Sequence, residues 1–149
     1  MSSVLAILEA TGGSLHRMSP EALTAAQQLA AAQGLAVTAV LPGDESGELS
    51  QQTASARIEK VLTLRHNLLR QYTADAWVEA LSRVITSLKP RYVVLPHTYQ
   101  VRDFAPRLAT RFGQVLISDV VEFREGKPVR QLFQGKLNAD IDISGNGPI

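Results

Sequence analysis

With 149 residues, 45% of them hydrophobic and 19% charged, the chain has the length of one globular domain and the composition of an ordinary folded protein. Residues 1–75 carry 5 basic and 7 acidic side chains and residues 76–149 carry 10 and 7, an excess far below the dense basic stripe of a nucleic-acid binder, so that class is excluded. Cysteine is absent, which removes disulfides, thiolate metal sites and cysteine nucleophiles together and fits a reducing compartment.

Val4 to Leu8 is a near-continuous apolar run, the pattern of a strand buried on both faces. With no basic residue before it, the start of the chain reads as a first strand and not a signal peptide, and the protein is expected to be cytoplasmic. The apolar stretch from Leu29 to Leu41 is interrupted by Gln33, Gly34 and Thr38 and is too short to span a bilayer, so no membrane insertion is expected. After a Gly-containing loop, Ser19 is placed to N-cap a helix with Pro20 at its first position. Ala22, Leu23, Ala26, Leu29 and Ala30 line one face of that helix, and Gly34 sits where a left-handed C-terminal cap belongs.

Ala36 to Leu41 predicts a second strand, stopped by Pro42-Gly43. The polar stretch 43–56 predicts a loop with a short helix, and Glu59 to Leu64 a third strand. Thr73 is an N-cap with Asp75 in the first turn, followed by Trp77, Ala80, Leu81, Val84, Ile85 and Leu88 on one stripe, ended by Lys89-Pro90. Tyr92 to Leu95 is a fourth strand. Asp103 to Phe112 predicts a short helix with Pro106 in its first turn, closed by Gly113, and Leu116 to Asp119 a strand ending in an aspartate. Val120 to Arg124, Val129 to Phe133 and Leu137 to Ile143 predict short strands in antiparallel pairs. Alternating strands and helices imply a doubly wound, mostly parallel α/β sheet with a C-terminal antiparallel extension.

Ligands of open α/β sheets sit beyond the strand ends where the strand order reverses. If the first and fourth strands meet there, the lips are Thr11-Gly12-Gly13-Ser14 and His97-Thr98-Tyr99. Thr11, Gly12, Gly13, His97 and Thr98 are therefore the nucleotide-binding candidates, through backbone N–H groups and hydroxyl donors. The glycine pair superficially resembles the Ser-Gly-Gly loop of ATP pyrophosphatases, which share this adenine-nucleotide alpha-hydrolase-like architecture. No aspartate follows the glycines, though, and the alternative is a plain βα loop. His16, His66 and His97 have no metal-ligand spacing, and His97 reads either as a ligand contact or as a hydrogen-bonding post for its loop. Asp140, Asp142, Ser144 and Gly145 match half a calcium loop, but Ile141 and Ile143 alternate with the acids as in a strand with one wet face. Arg107 and Asp119 are expected to form a structural ion pair, since arginine early in a helix calls for a carboxylate partner. No metal site and no catalytic residue is assigned.

The series Pro96-His97-Thr98-Tyr99, Asp103-Phe104-Ala105-Pro106-Arg107-Leu108-Ala109, Leu116-Ile117-Ser118-Asp119-Val120 and Val129 to Leu137 resembles the N-terminal domain of the electron-transfer flavoprotein alpha subunit. The likeness runs from the first strand to Leu137, with Val101-Arg102 where that family commonly has Gly-Lys. It implies one domain over residues 1–149, without the C-terminal domain that holds FAD in the full-length alpha subunit, so no cofactor residue is carried over. It also implies a partner beta subunit, which commonly holds AMP, and a heterodimer that takes electrons from flavin dehydrogenases and passes them to a quinone reductase or other acceptor. Ser144 to Ile149 would be the connection to the missing domain. The leading expectation is a non-catalytic subunit-interaction domain. A free-standing adenine-nucleotide module and a nucleotide-dependent hydrolase or ligase are the alternatives.

Overall fold

The computed structural model describes residues 3–43, 47–54 and 57–144. Four strands, β1 (Ser3–Ile7), β4 (Ala36–Pro42), β5 (Lys60–Leu64) and β6 (Tyr92–Val94), form a parallel sheet in the order β5-β4-β1-β6. Between β1 and β4 a small hairpin, β2 (Ala10–Thr11) and β3 (Ser14–Leu15), leads into helix α1 (Ser19–Gln33). Helices α2 (Glu48–Ala54) and α3 (Ala74–Leu88) lie in the two remaining crossovers, and α4 (Tyr99–Phe112) follows β6. A second sheet, β7 (Val120–Arg124), β8 (Lys127–Leu132) and β9 (Leu137–Asp140), is antiparallel. The α/β sheet with an antiparallel extension is thus as the sequence pattern predicts.

Period-2 alternation along β1 splits the core in two. Val4, Ala6 and Leu8 pack with Leu23, Ala26, Leu29 and Leu49 on the α1–α2 side. Leu5 and Ile7 pack with Trp77, Leu81, Phe104 and Leu108 on the α3–α4 side. Alanines bring α1 close to the sheet, whereas an aromatic group spaces the other layer. Trp77 lies 5.5 Å from both the Tyr72 and the Phe104 ring centroids. The antiparallel sheet rests on the α1 layer through Phe123.

Local signals hold where they are self-contained. Thr73 caps α3 by accepting from the Ala76 N–H, and Gly34 and Gly113 close their helices in the left-handed region. Three expectations are corrected. Ser19 is the first residue of α1, not its cap, because its hydroxyl is drawn into the core by the Glu9 backbone. The last helix starts at Tyr99 with Thr98 as cap, so Pro106 and the Val101-Arg102 pair lie inside it. An interior proline costs on the order of 3 kcal/mol. Here the helix is sustained by burying Val101, Phe104, Ala105, Leu108 and Ala109 on one face. Leu116 to Asp119 does not form a strand, because among the described residues Val115 to Ser118 make no backbone–backbone hydrogen bond. The connection expected over 144–149 lies outside the described residues, apart from Ser144.

The Tyr72 hydroxyl donates to Asp103 Oδ2 at 2.7 Å, which ties the loop before α3 to α4. Burial, and then this hydrogen bond, push the phenol pKa well above its ordinary value. The protonated form is favoured in the fold, so its contribution is complete below the unfolded tyrosine range (about 10) and is lost as pH rises beyond it. Urea unfolding between about pH 9 and about pH 11 should show a fall in stability that is smaller in Tyr72→Phe. Equal falls in the two proteins would count against this.

Candidate functional site

The strand order reverses between β1 and β6, and there the sequence-predicted candidates separate. Thr11 and Ser14 pair across the β2–β3 hairpin, and Gly12 and Gly13 are its two-residue turn with φ of +60° and +79°. Positive φ at both central positions is the demand of a type I′ hairpin turn. A Cβ at either glycine would meet nothing within 4 Å, so it is the positive φ of the turn, and not close packing, that calls for glycine here. Thr98, by contrast, is buried at the switch point itself.

The residue it meets is Glu9, which is only 6% exposed. Thr98 Oγ1 donates to Glu9 Oε2 at 2.5 Å and accepts from the Val101 N–H at 3.1 Å, so one hydroxyl caps α4 and holds the carboxyl group. The Glu9 backbone is held as firmly. Its N–H donates to Ser19 Oγ at 2.8 Å, and its carbonyl accepts from that hydroxyl at 2.8 Å and from the His16 N–H at 2.8 Å. His16 Nδ1 in turn accepts from the Met18 N–H at 3.2 Å, fixing the entry into α1. A helix N-terminus favours an anion through its free N–H groups and dipole. At α4 the Glu9 carboxyl group lies against the hydroxyl of the cap residue Thr98.

His97 points elsewhere. Its Nε2 lies 3.4 Å from Asp119 Oδ1, both side chains about half exposed, and Arg130 approaches the other Asp119 oxygen at 3.6 Å. His97 thus lies between the end of β6 and the turn before β7. The expected Arg107–Asp119 pair is not formed. α4 lies beside α3, so Arg107 reaches Asp75 in the first turn of α3 at 3.0 Å, while Asp119 sits beyond the return segment with His97 and Arg130. Asp140 and Asp142 pair with Arg124 (3.2 Å) and Lys127 (2.7 Å), the pattern of a solvated strand edge. Among the described residues no group of three His, Cys, Asp or Glu side chains is gathered as for a metal ion.

Glu9 and Ser19 escape sequence reasoning. The available signal is a single acid directly after a fully apolar strand, whose partners lie 10 and 89 positions away.

Because Ser19 and Thr98 each satisfy two groups of a buried junction, Ser19→Ala and Thr98→Val should each lower unfolding free energy by about 1–3 kcal/mol. Glu9→Gln keeps an acceptor for Thr98 and should cost less than Glu9→Ala. Chemical denaturation of the four variants checks the ranking. Arg107→Ala and Asp119→Ala should be additive to within about 0.5 kcal/mol in a double-mutant cycle. The exposed Arg107–Asp75 pair should show a coupling below about 1 kcal/mol.

Comparison with known proteins gives one consistent result. The model of the family described as "Electron transfer flavoprotein domain" matches residues 4–149. The "Electron transfer flavoprotein subunit alpha" of Clostridium acetobutylicum is 30% identical over 94% of this chain and 44% of its own length. The protein of the same name from Mycobacterium tuberculosis (strain H37Rv) is 30% identical over 100% and 46%. "Protein FixB" of Azotobacter vinelandii is 27% identical over 87% and 39%. The chain thus spans less than half the length of the curated relatives it matches. With the family model running through both sheets, the chain belongs to the electron transfer flavoprotein domain family and corresponds to the N-terminal domain of its alpha subunits.

Proposed function

We propose that this domain is the structural and subunit-contact part of an electron-transfer flavoprotein, a carrier and not an enzyme. The observation that carries the reading is the buried acid at the switch point. Where a nucleotide-binding α/β domain offers a helix N-terminus to phosphate, here a buried Glu9 carboxyl group lies against the Thr98 cap hydroxyl. A phosphate brought there would meet the Glu9 carboxyl group beside the helix cap. The adenine-nucleotide module is accordingly the weaker reading.

In the proposed assembly the domain contacts a beta subunit that carries AMP, and FAD belongs to the full-length alpha subunit. The heterodimer takes electrons from flavin dehydrogenases and delivers them to a quinone reductase or other acceptor, in the cytoplasm. Exposed apolar side chains on the antiparallel sheet and its β8–β9 turn, Val121, Phe133 and Leu137 among them, support a contact role. Among the described residues no helix is long and apolar enough to cross a membrane.

Co-expressed with a cognate beta subunit, the chain should elute from size exclusion as a 1:1 complex. Purified alone it should be colourless and give no saturable signal on titration with AMP. Stoichiometric flavin absorbance, or AMP binding by a monomer that ignores the beta subunit, would overturn the reading.

A further inference from the structure

The chain holds one tryptophan and three tyrosines, and one tyrosine is set against the tryptophan on the α3–α4 side of the sheet. Trp77 is buried, and the Tyr72 ring meets it edge-on with the planes at 75°. At a centroid separation of 5.5 Å this is direct ring contact. Phe104 lies 5.5 Å from Trp77 and 6.5 Å from Tyr72, closing the pair off with a ring that is hard to oxidise. The Tyr72 hydroxyl leaves this apolar group and donates at 2.7 Å to Asp103 Oδ2, a carboxylate on the exposed face of α4. It also lies 3.3 Å from the Gln100 carbonyl, so its direction is fixed from two sides. Exposure therefore rises in steps along one line of contacts, from a buried indole through a partly exposed phenol to an exposed carboxylate.

That order has a chemical consequence. An indole that loses one electron becomes a radical cation, and its ordinary relief is to release the ring N–H proton. Trp77 Nε1 is buried and has no acceptor among the described residues, so the positive charge stays in apolar surroundings, where it is costly. A phenol that gives up an electron becomes a strong acid, and Tyr72 already has a carboxylate within hydrogen-bond reach to take its proton. We propose that Trp77, Tyr72 and Asp103 form a relay that carries a one-electron oxidation out of the core. An electron passes from the Tyr72 phenol to the oxidised Trp77 indole as the phenol proton passes to Asp103 Oδ2. Indole radical cation, phenol and carboxylate thereby become indole, neutral phenoxyl radical and carboxylic acid, so charge balances and no ion is left buried. The initial oxidant is a small diffusing radical that takes one electron. A soluble thiolate restores the phenol by returning one electron while Asp103 returns the proton. The chain has no cysteine to draw the oxidation elsewhere. The relay uses residues of this chain alone, and it goes beyond the electron-carrier reading without resting on it.

Laser photo-ionisation of the 149-residue chain tests it. Light at the red edge of the absorption band, where tyrosine is transparent, ejects an electron from the single tryptophan, and dissolved oxygen removes that electron. Transient absorption should show the indole radical cation decaying as a tyrosyl radical rises, with one first-order rate that does not change with protein concentration. Tyr72→Phe, which keeps the ring, should abolish the tyrosyl signal and prolong the indole radical by at least about 10-fold. Asp103→Asn, which keeps the shape but not the basic oxygen, should slow the transfer by at least about 10-fold. Tyr92→Phe and Tyr99→Phe should leave the rate within about 2-fold of the parent. Deuterium oxide should slow the transfer in the unaltered chain by at least about 2-fold, a readout that needs no substitution. A parent chain that forms no tyrosyl radical, a tyrosyl signal that survives Tyr72→Phe, or a rate that rises with protein concentration would overturn the relay. A rate unchanged in Asp103→Asn or in deuterium oxide would overturn Asp103 as its proton acceptor.

Discussion

The junction around Glu9 fixes the rest of the architecture. Its backbone is bound to the Ser19 hydroxyl and its side chain to the Thr98 hydroxyl, so the end of β1 is joined to the first residue of α1 and to the cap of α4. These two helices lie on opposite faces of the sheet. One acidic residue therefore sets the positions of both layers at the point where the strand order reverses. The arrangement is sensitive because it is buried: each hydroxyl serves as donor and acceptor together, and loss of one leaves a partner without solvent to replace it.

The parts of this fold that were legible in the sequence are those whose causes are local. The apolar runs of β1 and β4 need only their own composition, and Gly34, Thr73 and Gly113 mark helix ends through the conformation or hydroxyl each supplies. The misreadings share a different cause. Pro106 suggests a helix start because nothing near it in sequence reveals that Thr98 will be held by a residue 89 positions away. Leu116 to Asp119 has strand composition, but a strand exists only where a neighbour offers matching backbone groups. Arg107 is matched in sequence to Asp119 alone, and the side-by-side placement of α3 and α4 gives it Asp75 instead. The candidate site was legible as a place and not as a constellation: topology locates the switch point, but the buried acid found there, Glu9, comes from the segment just after β1.

The two sheets divide the work of the domain differently. The parallel sheet hides its central strand completely, every residue of β1 being buried. The antiparallel sheet leaves Leu132 opposite Leu137 on its ladder, both exposed, with Phe133 beside them at 71% exposure. Phe133 and Gln134 both hold positive φ, a conformation non-glycine residues adopt at some cost. An aromatic side chain displayed on a strained turn suits contact with another surface better than it suits the stability of an isolated domain.

The pairing of β1 also governs how the chain is made. Val4 pairs with Val37 on one side and with Tyr92 on the other, so the central strand is completed by a segment nearly ninety positions downstream. At a synthesis rate of 5–20 residues per second, about 3–10 seconds pass between the emergence of β4 and that of β6. Throughout that interval a largely apolar strand has one open flank, and the high sequence separation of its contacts slows closure further. Nascent chains of this domain are thus exposed to aggregation until their second half appears.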